Sequence, residues 1–567
     1  MDTTQPDLVQ LTSEPPAHNL AIERSTAIRD HFPFPSIRDA QDKAMSAVER
    51  AVATKKKFTI IEAPTGIGKS GFGIAAASWA KTIPTFGQFQ QGGYILSPQK
   101  TLTAQYMKDF GNMGLLELKG RANYWCTRHD TDCDCGALLN GSGAQNVEAG
   151  DDREECPACP YRMAKNDFKA NPLGVTNFAY YLNETVYAGQ LSPRTMLVLD
   201  EGHNTEGQIL GFTDTEITER RANEHGAGRV PYIKPGENDK CRSWLRTTFV
   251  PATQEYMRKL EDLKESAKLS GNKNDALKFA KKLDSTDKFL CRLNRFIMSD
   301  DPANWLCWTE KDGTLTIKPL TATLFADEVL FRKAQHILIM SATIVDFGTF
   351  MRNLGIKNAD TEMLALDSEF PLVNRPIYFR PAGNMSFKYI DQTLPKLAQM
   401  VEKIMLKYPN EKGIIHTHSY KINSYLHGYL KAHGLAGRIL THNGDVQGSR
   451  EKAVYDHFNS PEPTVLMSPS MTEGLDLKED LSRFQVLCKV PYPALTPYVK
   501  ARMQRDPDWY NWCTGLTMIQ ATGRSVRTKV DKADTYILDS AFEYFLTKYG
   551  SKLSKWWTDS IKFPGEK

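Results

Sequence analysis

Short apolar runs bounded by turn residues recur along the chain, and between them apolar positions fall at helical spacing. Residues 58–62, 93–97 and 195–200 are such runs, followed later by 337–340, 413–416, 464–467, 484–490 and 535–538. Short, continuously apolar segments alternating with helical patterns predict strands of a parallel sheet covered by helices on both faces. The alternation breaks twice. The first break, 120–160, contains a stretch (139–155) rich in Gly, Asn, Asp and Glu that predicts an exposed loop. The second runs from 205 to 325. Within it, Tyr256, Leu260, Leu263, Leu277, Phe279, Leu283 and Phe289 recur among lysines and glutamates, which predicts an amphipathic helical insert. Its simplest reading is a solvated helical hairpin with no chemistry of its own.

The expected fold class is therefore α/β, with two similar halves and no internal repeat. A polar N-terminal tail covers 1–30. The first α/β domain takes 31–119, 163–204 and 326–370, interrupted by a small insert at 120–162 and the helical insert at 205–325. The second takes 371–567. At 567 residues the chain is long enough for roughly three to four domains. No apolar run is long enough to span a bilayer, and the first residues lack the basic and apolar regions of a signal peptide. A cytoplasmic protein with no membrane partner is expected. The formal net charge of +4 is compatible with nucleic-acid binding and says little more. Cysteine usage changes the picture further: of ten cysteines, five (Cys126, Cys133, Cys135, Cys156, Cys159) crowd one window. In a cytosolic chain that pattern favours a metal or cluster over disulfides.

The run 58–62 leads into Ala63-Pro64-Thr65-Gly66-Ile67-Gly68-Lys69-Ser70. A buried strand, a glycine-containing turn and a helix starting at Lys-Ser form a phosphate-binding loop, in which Lys69 reaches the β/γ-phosphates and Ser70 holds Mg²⁺. Ala63 stands where the usual first glycine would be. Asp200-Glu201-Gly202-His203 follows the apolar run 195–200, placing Asp200 as a second Mg²⁺ ligand and Glu201 as the residue that orients or deprotonates water. Downstream, Gln520, Arg524 and Arg527 occupy one segment, the two arginines one helical turn apart. Either arginine serves as a finger from the second α/β half, and Gln520 positions nucleotide or water, so that the site forms only when the halves close.

This ordered set resembles the superfamily 2 helicases, and within them the XPD/DinG family. Phe34-Pro-Ser-Ile-Arg38-Asp-Ala-Gln41 is similar to the family's adenine-sensing segment, and Ser97 to Gln105 to its next motif. Ser341-Ala342-Thr343 resembles the motif that links hydrolysis to movement, and Glu473-Gly474-Leu475-Asp476 a further nucleotide-site motif. The family accepts alanine at the position of Ala63. The resemblance runs from Phe34 to Arg527 and implies two RecA-like motor domains, with 205–325 as an arch-like insert. It corresponds to a short form without an exonuclease domain.

Lys119 to Cys126 and Cys159-Pro160-Tyr161 resemble the entry and exit of the family's iron–sulfur domain. A [4Fe–4S] cluster needs four ligands. Cys126, Cys156 and Cys159 fit best, with Cys135 chosen as the fourth and Cys133 as its alternative; a structural zinc site is the competing reading. The cofactors expected are ATP, Mg²⁺ and the cluster.

The resemblance further implies single-stranded or forked DNA passing between the motor halves, with 5′ to 3′ movement, and a protein acting as a monomer, with a single-strand-binding, repair or replication protein as its companion. RNA–DNA hybrids are an alternative substrate, and a redox-sensing DNA-binding protein is a more distant reading. Tyr124, Trp125, Phe178, Tyr180 and Tyr181 lie near the cysteines, each more simply read as core than as a stacking platform. Lys119, Arg121 and Arg162 are the corresponding phosphate-contact candidates.

Overall fold

Seven parallel strands form the first sheet in a computed structural model of the chain, which describes residues 27–139, 159–188, 191–442, 446, 448–471 and 477–566. From one edge the order is Thr361–Ala365, Phe58–Glu62, Ala334–Ser341, Arg194–Leu199, Gln90–Ser97, Leu173–Asn177 and Leu116–Glu117. Phe58–Glu62 pairs in register with Ala334–Ser341, Phe58 opposite Ile337 and Glu62 opposite Ser341. That pairing makes the intervening segments insertions into one domain. Every residue of Phe58–Glu62, Arg194–Leu199 and Ala334–Ser341 is buried, as helices on both faces require. Helix Lys69–Trp79 is buried from Gly71 to Trp79, so it lies inside the domain rather than on it.

A second parallel sheet of seven strands follows, ordered Ile439–Thr441, Val465–Ser468, Gly413–His416, Phe484–Leu487, Asp534–Asp539, Ile377–Gly383 and Ile561–Lys562. Two sheets of this kind are the α/β architecture expected. The strands missed by pattern alone lack a continuous apolar run. Leu173–Asn177 contains Gly and Thr, and Thr361–Ala365 is only partly covered, so neither gives a continuous apolar run.

The insert at 205–325 is not wholly helical. Its long helices, Val250–Leu269 and Lys273–Ile297, form a hairpin whose turn is closed by Asn272, which accepts the N–H of Asp275. Beside them, Thr215–Ile217, Leu315–Pro319 and Trp305–Thr309 make an antiparallel sheet that corrects the all-helical expectation. Residues 305–308 are all buried, so no alternation marks the strand in the sequence. The tail is also shorter than expected. Ile28 is fully buried and Arg29 pairs with Asp42 and Glu49, so residues 27–30 belong to the first domain. The loop expected at 139–155 falls almost wholly outside the described residues. No described helix is long and apolar enough to cross a membrane.

One buried titratable group makes the second domain's stability pH-dependent. His457 is fully buried, with Nε2 on the Leu481 carbonyl (2.8 Å) and Nδ1 beside the Thr464 hydroxyl (2.9 Å). Burial, reinforced by the Lys412 charge, lowers its pKa to about 4 although the Leu481 carbonyl opposes this. The unfolded chain takes up a proton near pH 6.5 and the folded chain does not, so stability falls as pH drops from about 6.5 toward 4. Between pH 7 and 5, His457→Gln should lose roughly 2 kcal/mol less stability than the parent. Denaturant unfolding at the two pH values measures this, and equal losses would contradict it.

Candidate active site

The chain leaves strand Phe58–Glu62, turns through 63–68 and enters helix Lys69–Trp79 at the edge facing the second domain. Gly66 and Gly68 have φ of +89° and +84°, the left-handed region that glycine alone adopts cheaply. Space makes the same demand: a Cβ on Gly66 would lie 2.1 Å from the Phe370 ring, and one on Gly68 2.6 Å from Gln41 Nε2. Ala63 is under neither constraint. It continues the strand, its N–H donating to the Ser341 carbonyl (2.8 Å), and its side chain is in the core. That is the physical reason alanine serves at the first loop position.

Arg38 and Gln41 close over the loop. Arg38 donates to the carbonyls of Gly66 (2.8 Å) and Ile67 (2.5 Å), and Gln41 donates to Ile67 (2.9 Å). Arg38 also pairs with Glu369 at 3.0 Å, in the segment leading to the second domain. Pro64 and Thr65 border a cavity shared with Phe370, Arg375 and Trp556. Helix Lys69–Trp79 has no side-chain cap, leaving its first-turn N–H groups for an anion.

Asp200 follows strand Arg194–Leu199 and is buried. Its carboxylate accepts from the Tyr106 hydroxyl (3.0 Å) and from the N–H of Glu201 (2.9 Å). Burial and the adjacent Glu201 charge, opposed by Lys69, raise its pKa to about 6. Burial also pushes Glu201 upward, but Lys69, His203, Arg524 and Arg527 outweigh it and hold that carboxyl below its usual value. Glu201 itself sits at φ +47°, a left-handed conformation costly for a side chain with a Cβ. Two neighbouring acids thus differ in proton affinity.

The second domain reaches this point directly. Arg527 Nη1 lies 3.4 Å from Thr65 Oγ1 in the loop, 462 residues away in sequence. Gln520 Nε2 donates to His203 Nε2 (2.6 Å) and lies 3.5 Å from Thr343 Oγ1. With that nitrogen accepting, the imidazole proton is on Nδ1, which is 2.8 Å from Ser341 Oγ and 3.5 Å from Glu201. A continuous polar path therefore runs from Glu201 through His203 to Gln520. Of the residues singled out in sequence, Arg38, Gln41, 63–70, Asp200, Glu201, Gln520, Arg524 and Arg527 come together here. Glu473, Gly474 and Asp476 lie outside the described residues.

Three residues not singled out in sequence also belong to the site. Glu62 accepts the N–H groups of Ile344 and Val345 (2.7 Å each) and the Trp556 indole N–H (3.3 Å). Trp512, in helix Trp509–Thr522 of the second domain, donates to the Ile344 carbonyl at 2.8 Å. Segment 341–345 is thus held from both domains at once. Tyr106 is the third. A carboxylate ending an apolar strand was the sequence signal for Glu62; Trp512 and Tyr106 read only as apolar helix positions.

The cysteine window is partly described. Cys126, Cys133, Cys135 and Cys159 are buried free thiols, and Cys156 lies outside the described residues. Cys133 Sγ is 3.5 Å from Cys159 Sγ, and Cys126 Sγ lies 2.5 Å from where a Cβ on Gly136 would sit. Cys135 instead meets Lys281 of the helical hairpin. Cys133 therefore lies beside Cys159, and Cys135 lies at the hairpin. Among the described residues, no three His, Cys, Asp or Glu side chains form a group that could hold a metal ion. The nearby aromatics divide: Phe178, Tyr180 and Tyr181 are buried, Tyr124 is half-buried, and Trp125 is 58% exposed.

Residues 401–560 match the family model of the helicase C-terminal domain. The chain is 22% identical to a probable ATP-dependent helicase of Methanocaldococcus jannaschii, over 91% of this chain and 93% of that protein. It is 24% identical to the ATP-dependent DNA helicase DinG of Photobacterium profundum, over 41% of this chain and 36% of that one. Among solved structures it is similar to an XPD helicase (16% identity, 94% of this chain and 100% of that chain, TM-score 0.61). It is also similar to S. tokodaii Xpd4 (13% identity, 93% and 100%, TM-score 0.55). At such identities the structural likeness speaks for the fold.

Proposed function

From its standing as an XPD/DinG-like superfamily 2 helicase, an ATP-hydrolysing enzyme, we propose that this chain moves 5′ to 3′ along single-stranded DNA and separates forked duplexes. The observation that carries this reading is the cleft in which the phosphate loop, Asp200 and Glu201 of one sheet meet Gln520, Arg524 and Arg527 of the other. Lys69 and the open helix N-terminus bind the phosphates. Ser70 and Asp200, a hydroxyl and a buried carboxylate, are the hard oxygen donors that suit Mg²⁺. Bound there, the metal neutralises phosphate charge. Glu201 takes the proton of the attacking water, and Arg527 meets the charge that develops on the transferred phosphoryl group. Because Trp512 and Gln520 hold the 341–345 segment and His203 from the second domain, closing and opening of the cleft is transmitted between the sheets as movement on the strand. The domain division given above, with residues 27–30 reassigned to the first domain, and a cytoplasmic location form part of this reading.

In the same reading, Cys126, Cys133, Cys156 and Cys159 hold a [4Fe–4S] cluster. Burial and the neighbouring Cys159 push the Cys133 thiol up to about 12, so a metal is what would ionise it. The cluster would crosslink a segment too small to build a core of its own. Exposed Trp125 is the remaining stacking candidate beside it.

The test is strand displacement on forked DNA with a 5′ single-stranded arm, run beside an RNA–DNA hybrid and a 3′-armed fork, with Lys69→Ala as control. Unwinding of the 5′-armed DNA fork alone, lost in Lys69→Ala, is expected. Unwinding of the hybrid alone would transfer the activity to RNA–DNA hybrids, and unwinding of neither would end the helicase assignment.

A further inference from the structure

We infer that Tyr106 is a positioning residue for the metal ion: its hydroxyl fixes Oδ2 of Asp200, one of the two protein ligands. The inference rests on the ATPase reading above. Tyr106 is 2% exposed and lies on the inner face of helix Lys100–Phe110, which begins just beyond strand Gln90–Ser97. Its Oη donates to Asp200 Oδ2 at 3.0 Å. A phenol has one proton to give, and here it goes to the carboxylate.

This bond matters because the two ligands come from different strand ends. Ser70 belongs to the helix after the phosphate loop, and Asp200 follows a strand two positions away in the sheet. The other contact to the Asp200 carboxylate comes from the neighbouring N–H of Glu201, which fixes Oδ1 and leaves Oδ2 to Tyr106. Groups that orient metal ligands from outside commonly change metal affinity by 10–100-fold when removed. The aromatic ring has a separate role, packing 5.8 Å from the Phe110 ring within the core of the first domain. Hydroxyl and ring can therefore be tested independently.

Tyr106→Phe in the full chain keeps the ring and deletes only the bond to Asp200. Binding of Mn²⁺ in the presence of ADP, followed by the electron paramagnetic resonance signal of the free ion, reads metal affinity without turnover. The expected result is a dissociation constant raised by roughly 10–100-fold. ATP hydrolysis by the variant should fall at low Mg²⁺ and be restored by excess Mg²⁺, which damage to folding would not allow. Asp200→Asn serves as the metal-deficient reference. Unchanged Mn²⁺ affinity in Tyr106→Phe, or a loss of hydrolysis that excess Mg²⁺ does not restore, overturns the inference while the parent still hydrolyses ATP. If the parent itself neither binds Mn²⁺ with ADP nor hydrolyses ATP, the ATPase reading falls, and this inference with it.

Discussion

Arg527→Ala should slow ATP hydrolysis by roughly 10³–10⁵-fold, the range an arginine that stabilises phosphoryl transfer supplies. ATP should remain bound, because the loop, the helix N-terminus and Lys69 are all in the first domain. Two features implicate Arg527. Its guanidinium lies 3.4 Å from Thr65 in the loop, and its charge contributes to holding Glu201 ionised. The substitution therefore removes charge stabilisation and also lets the Glu201 pKa rise, so the fastest rate should be reached at higher pH than in the parent. Arg524 also acts on Glu201, ahead of Arg527, so Arg524→Ala should likewise let the Glu201 pKa rise and move the fastest rate to higher pH. Single-turnover hydrolysis with a separate measurement of ATP-analogue binding distinguishes the two steps. An Arg527→Ala rate within tenfold of the parent would remove Arg527 from the mechanism.

How far this site was legible in sequence depends on the kind of residue. The phosphate loop, the Asp-Glu pair and the arginines carry chemistry that few other roles explain; the loop and the acids each follow a buried strand that pattern alone exposes, and the arginines follow helix Trp509–Thr522. The strand ends fell within a few residues, since fully buried strands such as Phe58–Glu62 and Gly413–His416 are continuous apolar runs. Edge and short strands lacked that signal. The supporting residues were not legible for another reason. Tyr106 and Trp512 are apolar helix positions whose single polar atom finds a partner far away in the chain, and no spacing announces such a partner. Asp539, at the end of strand Asp534–Asp539, carried no sequence signal of its role. In the fold its carboxylate accepts the N–H groups of Met385, Val490 and Ala541, tying three loops at the end of the second sheet. The spacing of two residues between Cys133 and Cys135 likewise leaves open where one helical turn points each thiol.

Glu201→Gln should produce the complementary failure: ATP held, the cleft closed and hydrolysis reduced by roughly 10²–10⁴-fold, the contribution of a positioned general base. The amide is nearly isosteric and keeps a hydrogen-bonding group 3.5 Å from His203, so the polar path to Gln520 survives while the base does not. Removing a negative charge beside the phosphates should also tighten ATP binding, where Arg527→Ala should leave it equal or weaker. The two variants thus stall on opposite sides of one step, one without its proton acceptor and one without its cation. A further difference follows from their positions. Glu201 belongs to the first domain and leaves the interdomain contacts of Trp512 and Gln520 intact, so with ATP the Glu201→Gln protein should remain locked on single-stranded DNA. Strand release after an ATP chase, followed by fluorescence anisotropy, measures this. Release as fast as in the parent would mean that closure of the cleft and grip on the strand are not coupled through the 341–345 segment.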